Sequence, residues 1–405
     1  MSTKPADYSL YVHIPWCIKK CPYCDFNSHE KRDDYNEDGY IDALIRDLDR
    51  QAIKVKGRRL SSVFIGGGTP SLFSVNAIDR LLSAIKQRLQ RGENLEITME
   101  ANPGTAEAEK FKGFYEIGVN RLSIGVQSFN DTHLQLLGRV HNAKQAHGAI
   151  RMAQDAGFKR INIDLMFGLP QQSLEQALLD VELALSYQTG HLSHYQLTLE
   201  KNTLFYNHPP ELPHDELIWD MQTNCQQTIA NQLQQYEVSA YAAEQQRSRH
   251  NLNYWQFGDY LGIGAGAHGK LTNQHGQISR YWNKKQPREY MTLAGTASCL
   301  GGNAAIPAPE LPFEFMINAL RLTAGFTLQQ YQQRTYLDPS SVLPKINQLI
   351  GKGLLQQDAN AYRCTKLGWN FLNDTLEHFL PTWWMIYCDA NTMAALTVAN
   401  WSKRG

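Results

Sequence analysis

The chain has 405 residues with 39 basic and 39 acidic side chains, so its formal net charge is +0. A balanced charge gives no electrostatic reason to expect nucleic acid or an acidic membrane as a partner, and a hydrophobic content of 42% suits a globular core. No apolar run approaches the roughly 20 residues that span a bilayer, and the N-terminus lacks the pattern of a secretory signal. We therefore expect a soluble, cytoplasmic protein that is long enough for two domains.

Short β-rich runs alternate with longer helical patterns up to about residue 245. Such alternation is typical of βαβ units around a parallel sheet. Six units in a row predict an α/β fold with a partial (β/α) TIM-like barrel, in which chemistry lies at the carboxyl ends of the strands. The predicted strands are 10–14, 62–65, 95–100, 121–125, 161–166 and 193–199, and the predicted helices are 40–53, 76–89, 106–117, 143–156, 174–185 and 215–235.

Beyond residue 245 the alternation stops, which divides the chain into four predicted segments. Helix–strand–turn–strand patterning after the proline-rich boundary indicates a small winged-helix-like unit. Winged helices often bind DNA, but the predicted recognition segment carries only Lys345 and Lys352, so we expect no nucleic acid. The segments are a barrel at 8–245, a loop-rich connection at 246–305 carrying HNLNY and GAGAHG, a smaller C-terminal winged-helix-like α+β domain at 306–380, and an atypical tail at 381–405.

The tail, PTWWMIYCDANTMAALTVANWSKRG, is rich in aromatic residues. Its apolar run is too short to span a membrane. One interpretation is a segment that docks on a membrane surface or on a partner protein. The other is a terminal extension without a binding role.

Three of the seven cysteines, Cys17, Cys21 and Cys24, form the motif CIKKCPYC. An odd number with the others scattered does not match a secreted disulfide framework. Thiolates are soft ligands that suit both iron–sulfur clusters and zinc. A structural zinc site would need a fourth ligand, for which His13 and His29 are candidates, whereas a four-iron cluster with one open iron needs none. The spacing leaves both alternatives open.

Glycine and polar residues follow several predicted strands. The run Gly66 to Pro70 follows the second strand, Glu100 ends the third, Gln127 follows the fourth, and Asp164 lies in the fifth. Glycines let the backbone approach a ligand and expose N–H groups, although a tight turn explains the run equally well. Because strand ends converge in a barrel, these residues predict a ligand site beside the cysteines.

The cysteine motif, with an aromatic residue before its third cysteine, resembles the signature of the radical S-adenosylmethionine superfamily. LYVHIPWCIKKCPYCDFNSH, FIGGGTPS, MEANPG, GVQSF, LGRVH and DLMFGLP resemble its branch of oxygen-independent coproporphyrinogen III oxidases and relatives, over residues 8 to about 380. The resemblance implies a barrel of the radical SAM type, a 4Fe-4S cluster on the three cysteines, and S-adenosyl-L-methionine (SAM) beside it. The implied SAM contacts are Tyr11, Tyr23, Gly67, Gly68, Thr69, Glu100, Gln127, Arg139 and Asp164.

Two functions of this branch compete, namely oxidative decarboxylation of coproporphyrinogen III and heme chaperoning. The oxidases have a fourth cysteine two residues after the third, where this chain has Phe26, and they have a longer N-terminal arm. The sequence HNLNY at 250–254 resembles the HNxxY heme motif of the chaperone group. The resemblance therefore favours a heme chaperone, with His250 and Tyr254 as the heme-binding candidates. We expect it not to be a coproporphyrinogen oxidase, and whether it cleaves SAM stays open.

Imidazole is a common ligand of heme iron, and tyrosine is another. On the residues alone, His250 is better explained as a loop histidine satisfied by hydrogen bonds, and the aromatic residues after it as core packing. His268, in GAGAHG, is a candidate for contact with SAM or heme or for a structural role. Beside the oxidase and the heme chaperone, a radical enzyme that acts on another substrate is a third alternative for the function.

The resemblance also implies partners. They are heme and a heme-requiring client protein such as a respiratory enzyme. The aromatic tail separately suggests a membrane surface contacted during delivery. Members of the chaperone group can dimerise, so a homodimer is a further expectation.

Overall fold

A computed structural model describes residues 6–32, 35–105 and 108–381. The strands are β1 (Tyr8–Ile14), β2 (Trp16–Cys17), β3 (His29–Glu30), β4 (Leu60–Gly67), β5 (Arg91–Ala101), β6 (Arg121–Gln127), β7 (Ile161–Phe167), β8 (Gly190–Gln196), β9 (Gln234–Glu237), β10 (Ala240–Ala242), β11 (Asp259–Ile263), β12 (His268–Thr272), β13 (Ile278–Asn283), β14 (Leu300–Ala305), β15 (Phe326–Thr327), β16 (Leu355–Asp358) and β17 (Ala361–Cys364). The helices are α1 (Glu37–Ala52), α2 (Val75–Arg88), α3 (Ala108–Glu116), α4 (Asp131–Leu136), α5 (Ala143–Asp155), α6 (Leu174–Ser186), α7 (Leu204–Asn207), α8 (Asp215–Ala230), α9 (Arg249–Trp255), α10 (Pro287–Leu293), α11 (Leu311–Ala319), α12 (Leu328–Thr335), α13 (Leu343–Gly351), α14 (Lys366–Asn370) and α15 (Leu372–Glu377).

One large sheet forms the body of the molecule. Its strand order is β14-β13-β12-β11-β1-β4-β5-β6-β7-β8-β10-β9. All neighbours from β11 through β1 to β8 pair in parallel, and the strands at both ends add on antiparallel. The predicted α/β fold with a parallel-rich, partial TIM-like barrel is confirmed.

Capping side chains fix where the crossover helices begin. The Ser74 hydroxyl accepts from the backbone of α2. Asn142 with Gln145, and Ser173 with Gln176, form reciprocal capping boxes at the starts of α5 and α6. Each box satisfies backbone N–H groups that lack partners inside the helix. The predicted starts of these three helices agree with the structure to within a residue, whereas α1 begins at Glu37, three residues before its predicted start.

The segment 246–305 differs from the loop-rich connection that we expected. It holds α9, the parallel strand β11 and the antiparallel strands β12 to β14, which widen the sheet beyond β1. These elements are short and contain Gly and Asn, so their sequence lacks the long periodic pattern by which strands are recognised. The predicted helix 215–235 likewise ends at Ala230, and β9 begins at Gln234.

The C-terminal residues form a smaller α+β unit with its own apolar cluster. Its three-stranded sheet has the order β15-β17-β16, preceded and followed by helices in the winged-helix pattern. Two buried ion pairs join it to the large sheet, Arg280 with Glu314 at 2.6 Å and Arg321 with Glu237 at 3.1 Å. The predicted tail lies outside the described residues except for Pro381. Within the described part of the chain, no helix is both long and apolar enough to cross a membrane.

Candidate functional site

A cavity of about 590 Å³ occupies the barrel lumen. Side chains alternate along the strands, so Arg121, Ser123, Gly125 and Gln127 of β6 all face it, while the residues between them are buried on the other side. The cysteine loop lies at the carboxyl ends of the strands, and Asn251 of α9 borders the cavity from the other direction. The volume is that of a site for one sizeable organic ligand.

Cys17, Cys21 and Cys24 all line the mouth of this cavity and are partly exposed. The Cys21 Sγ lies 3.6 Å from Arg139 Nη1, and the Cys24 Sγ lies 3.8 Å from Ser28 Oγ. Three thiols on one rim are the donor set that an iron–sulfur cluster requires, so the residues present fit such a cluster. No group of three or more His, Cys, Asp or Glu side chains in the described ranges is arranged to hold one metal ion.

Glu100 and Asp164 place two half-buried carboxyl groups in the cavity wall. Burial raises the pKa of Glu100 to about 7, and the Asp164 charge adds to the rise. Burial also raises the pKa of Asp164, although its carboxylate accepts from Ser123 Oγ at 3.0 Å and from Asn162 Nδ2 at 2.8 Å. Two acceptors that are costly to ionise without a partner are suited to bind a cationic or hydroxyl-bearing ligand.

Arg139 and Gln127 are held in place by neighbours on the same rim. Arg139 Nη2 donates to the Gly125 carbonyl at 2.8 Å, and its Nη1 lies 3.5 Å from the Tyr23 hydroxyl. Gln127 has a φ of 71°, a left-handed conformation uncommon for a side chain of its kind. The Tyr195 hydroxyl donates to its Oε1 at 2.8 Å. These bonds orient a guanidinium and an amide towards the space beside the cysteines.

The glycine run is explained by close packing. A Cβ on Gly67, whose φ is 114°, would meet the His13 ring at 2.5 Å, and one on Gly68 would meet the backbone of Trp16. The N–H of Gly67 donates to Glu100 Oε2 and that of Gly68 to the Ile14 carbonyl. Thr69 N–H similarly donates to the Trp16 carbonyl. The expected exposure of N–H groups to a ligand is therefore wrong, although all three residues line the cavity.

Three of the predicted contacts do not line the cavity. The Tyr11 hydroxyl bonds His13, and its ring packs 6.3 Å from that of Phe64, which does line the cavity. The His250 ring stacks on the same Phe64 ring with 5.0 Å between the ring centroids, and the centroid of the Tyr254 ring lies 5.0 Å from that of His250. The structure thus brings together eight of the predicted SAM contacts and places the HNLNY histidine behind an aromatic wall.

His250 sits inside the first turn of α9, whose start is fixed by Glu96. The Glu96 carboxylate accepts from the backbone N–H groups of Arg249 and His250, each at 3.1 Å, and pairs with Arg160 at 2.8 Å. The His250 Nδ1 lies 3.1 Å from Ser62 Oγ. Burial lowers the pKa of His250 to about 3, so the ring is neutral. His268, the other histidine considered, stacks on Trp282 in the antiparallel extension.

Sequence patterns missed several cavity residues in the lower half of the lumen. Three of them share a strand face with a predicted residue: Asn162 lies two positions before Asp164 on β7, and Ser123 and Arg121 lie four and six positions before Gln127 on β6, so for these the period of two was the available signal. The missed residues are Arg121, Ser123, Asn162 and Ser193, together with Tyr195, Asn251 and Arg321. Arg321 follows α11 in the C-terminal unit, and its inclusion required the tertiary fold.

Comparison with known proteins adds family information. A model of the radical SAM superfamily matches residues 11–184, and a model of the HemN C-terminal domain matches residues 306–371. The chain is 47% identical to the heme chaperone HemW of Haemophilus influenzae, over 92% of this chain and 97% of that protein. It is 45% identical to the heme chaperone HemW of Escherichia coli, over 92% and 98%.

Among solved structures, the coproporphyrinogen III oxidase HemN of Escherichia coli, described as a radical SAM enzyme, has the same fold. The TM-score is 0.79 over 94% of this chain and 92% of that chain, at 22% sequence identity. At that identity the likeness concerns the fold.

Proposed function

Because this chain belongs to the HemW family of the radical SAM superfamily, we propose that it is a heme chaperone that binds heme and passes it to a client protein. The observation that carries the proposal is the similarity along almost the whole chain to relatives named heme chaperones. Family membership implies a 4Fe-4S cluster and SAM as cofactors. The oxidase alternative has only a shared fold in its favour.

We assign the cluster to Cys17, Cys21 and Cys24 and the SAM site to the cavity beside them. The cluster, when bound, supplies an electron that can cleave the sulfonium of SAM. Glu100 is a carboxylate in this wall that can accept from an ammonium, as it already accepts from the Gly67 N–H. Arg139 faces the same space and can bind a carboxylate, while Tyr23 offers an aromatic surface.

The heme-ligand assignment to His250 and Tyr254 remains a proposal, and the motif in this structure does not fit a porphyrin. Both side chains lie outside the cavity lining, and Phe64 covers the imidazole ring. Helix α9 has seven residues, and a helix this short depends on tertiary contacts for stability. Coordination by His250 therefore requires that α9 leave the contacts with Glu96 and Ser62.

The test is an anaerobically reconstituted full-length protein, titrated with heme and assayed with coproporphyrinogen III in one preparation. We expect heme binding near one per chain and no decarboxylated product. His250→Ala should weaken heme binding, whereas the control His194→Ala, a buried histidine outside the cavity, should not. Unchanged binding in His250→Ala would remove the ligand assignment, and sustained formation of protoporphyrinogen would replace the chaperone with the oxidase.

We further propose a cytoplasmic chaperone with a heme-requiring client, a respiratory enzyme being the first candidate. A homodimer and a membrane-surface contact during delivery are parts of the same proposal. Deleting residues 382–405 tests the docking role of the tail. Loss of transfer to an apo-client with heme binding preserved supports that role, and unchanged transfer contradicts it.

A further inference from the structure

Arg121 is a buried cation at the lower end of the lumen, and no described residue forms a direct ion pair with it. It is the first residue of β6, is 2% exposed, and lines the cavity. Its Nε is buried without a hydrogen-bond partner among the described residues. Beside it in the parallel register lies Thr98, whose buried Oγ1 also lacks a partner there. Unpaired buried polar groups are costly, so this pair needs an explanation.

The charges of Glu96 and Asp164 act on Arg121, but neither carboxylate forms a direct ion pair with it among the described residues. Glu96 binds Arg160 at 2.8 Å and caps α9, while Glu237 binds Arg321 at 3.1 Å. The Asp164 carboxylate is held by neutral donors of β6 and β7. A ligand group that reaches the Arg121 guanidinium would supply the direct hydrogen bonds that these two carboxylates do not make, and a single negative charge keeps its repulsion from them small.

We propose that Arg121 binds a carboxylate group of the ligand held in the lumen. A guanidinium fork matches a carboxylate in two parallel hydrogen bonds, and a carboxylate carries one negative charge. Asn251 of α9 borders the same cavity, which puts the HNLNY segment next to this anion site. Two ligands could supply the group, a propionate of heme or the carboxylate of SAM, and the heme source rests on the proposed function.

The experiment measures the affinity of the reconstituted full-length protein for two matched ligand pairs. One pair is heme and heme dimethyl ester; the other is SAM and decarboxylated SAM. The variants are Arg121→Gln, Arg121→Lys and the control Arg58→Gln, which removes an equally buried arginine that is paired with Asp259 outside the cavity. Thermal unfolding of each variant reports whether it is folded.

Arg121→Gln should weaken the carboxylate-bearing member of one pair at least about 30-fold, as expected when a buried charge pair loses one partner, and leave its carboxylate-free counterpart unchanged. A selective loss for heme identifies the propionate, and a selective loss for SAM identifies its carboxylate. If Arg121→Gln does not fold, Arg121→Lys should show a smaller loss in the same ligand only, because lysine keeps the charge but not the fork.

Equal losses within both pairs, or no loss in either, would overturn the carboxylate site. Failure of the wild-type protein to bind heme would instead contradict the proposed chaperone function, while the SAM pair still tests Arg121. The two failures are thus distinguishable in one set of titrations.

Discussion

Replacing Glu96 with glutamine should destabilise the protein strongly, because this carboxylate is fully buried and serves three donors. Its Oε2 accepts from Arg160 at 2.8 Å and from the Arg249 N–H, and its Oε1 accepts from the His250 N–H. An amide keeps one acceptor and turns an NH₂ towards a remaining donor, which costs about 1–3 kcal/mol. Loss of the charge also leaves Arg160 unpaired. Together we expect about 3–5 kcal/mol, the usual cost of breaking a buried pair.

Urea unfolding at pH 7 of the wild type, Glu96→Gln and the exposed control Glu116→Gln measures this loss. The control should stay within about 0.5 kcal/mol of wild type. Burial alone would raise the pKa of Glu96, but Arg121 and Arg160 hold it below its usual value of 4.5. The Glu96 charge therefore stabilises the fold above pH 4.5, and this stabilisation is lost as the pH falls through the lower pKa of the folded state. The difference in unfolding free energy between wild type and Glu96→Gln should become smaller in that pH range.

Hydrogen exchange at the amides of Arg249 and His250 gives a local readout of the same substitution. Both amides should exchange faster in Glu96→Gln, because their acceptor has weakened. If Glu96→Gln unfolds at the same midpoint urea concentration as the wild type, and the exchange rates of these two amides are unchanged, Glu96 does not hold α9 against the barrel.

Three further predictions concern the cavity. SAM affinity, measured by anaerobic calorimetry, should rise from pH 6 to pH 8, because the Glu100 pKa of about 7 makes its carboxylate available above neutrality. Glu100→Gln should bind SAM weakly and without this rise. The same pH profile in the variant and the wild type would contradict a role of Glu100 in SAM binding. Cys17→Ser should lose the iron and the visible absorbance of the reconstituted cluster. Cys225 is a buried cysteine of α8, and Cys225→Ser should keep both. Equal iron content in the two variants would argue against Cys17 as a cluster ligand. Gly67→Ala should lower thermal stability by more than about 1 kcal/mol, since its φ of 114° and the 2.5 Å approach of His13 leave no room for a methyl group; wild-type stability would show that the loop relaxes freely.

Local sequence patterns were sufficient where they repeat and where strands end together. Alternation of strand and helix patterns identified the barrel. The convergence of strand ends predicted that Glu100, Gln127 and Asp164 lie close together, and all three line one cavity. The short strands after residue 245 were missed because pairing with β1, and not their own sequence, makes β11 a strand.

The environment of His250 was beyond sequence reasoning for a related physical reason. Its neighbours Phe64, Ser62 and Glu96 come from β4 and β5, about 150 or more residues earlier in the chain. No local pattern reports contacts of that separation. The unpaired state of Arg121 was hidden in the same way, because a partner is found missing only after every neighbour has been placed.

The Phe64 ring forms the cavity wall and also stacks on His250 at 5.0 Å. A ligand in the lumen that shifts this ring must therefore change the free energy of the histidine as well. Thermodynamic linkage makes such an effect reciprocal: whatever factor an occupant of the lumen imposes on binding at His250, binding at His250 imposes on that occupant. If SAM occupies the lumen, a change in SAM affinity reports a change at the helix that carries HNLNY. This change can be measured without observing the heme.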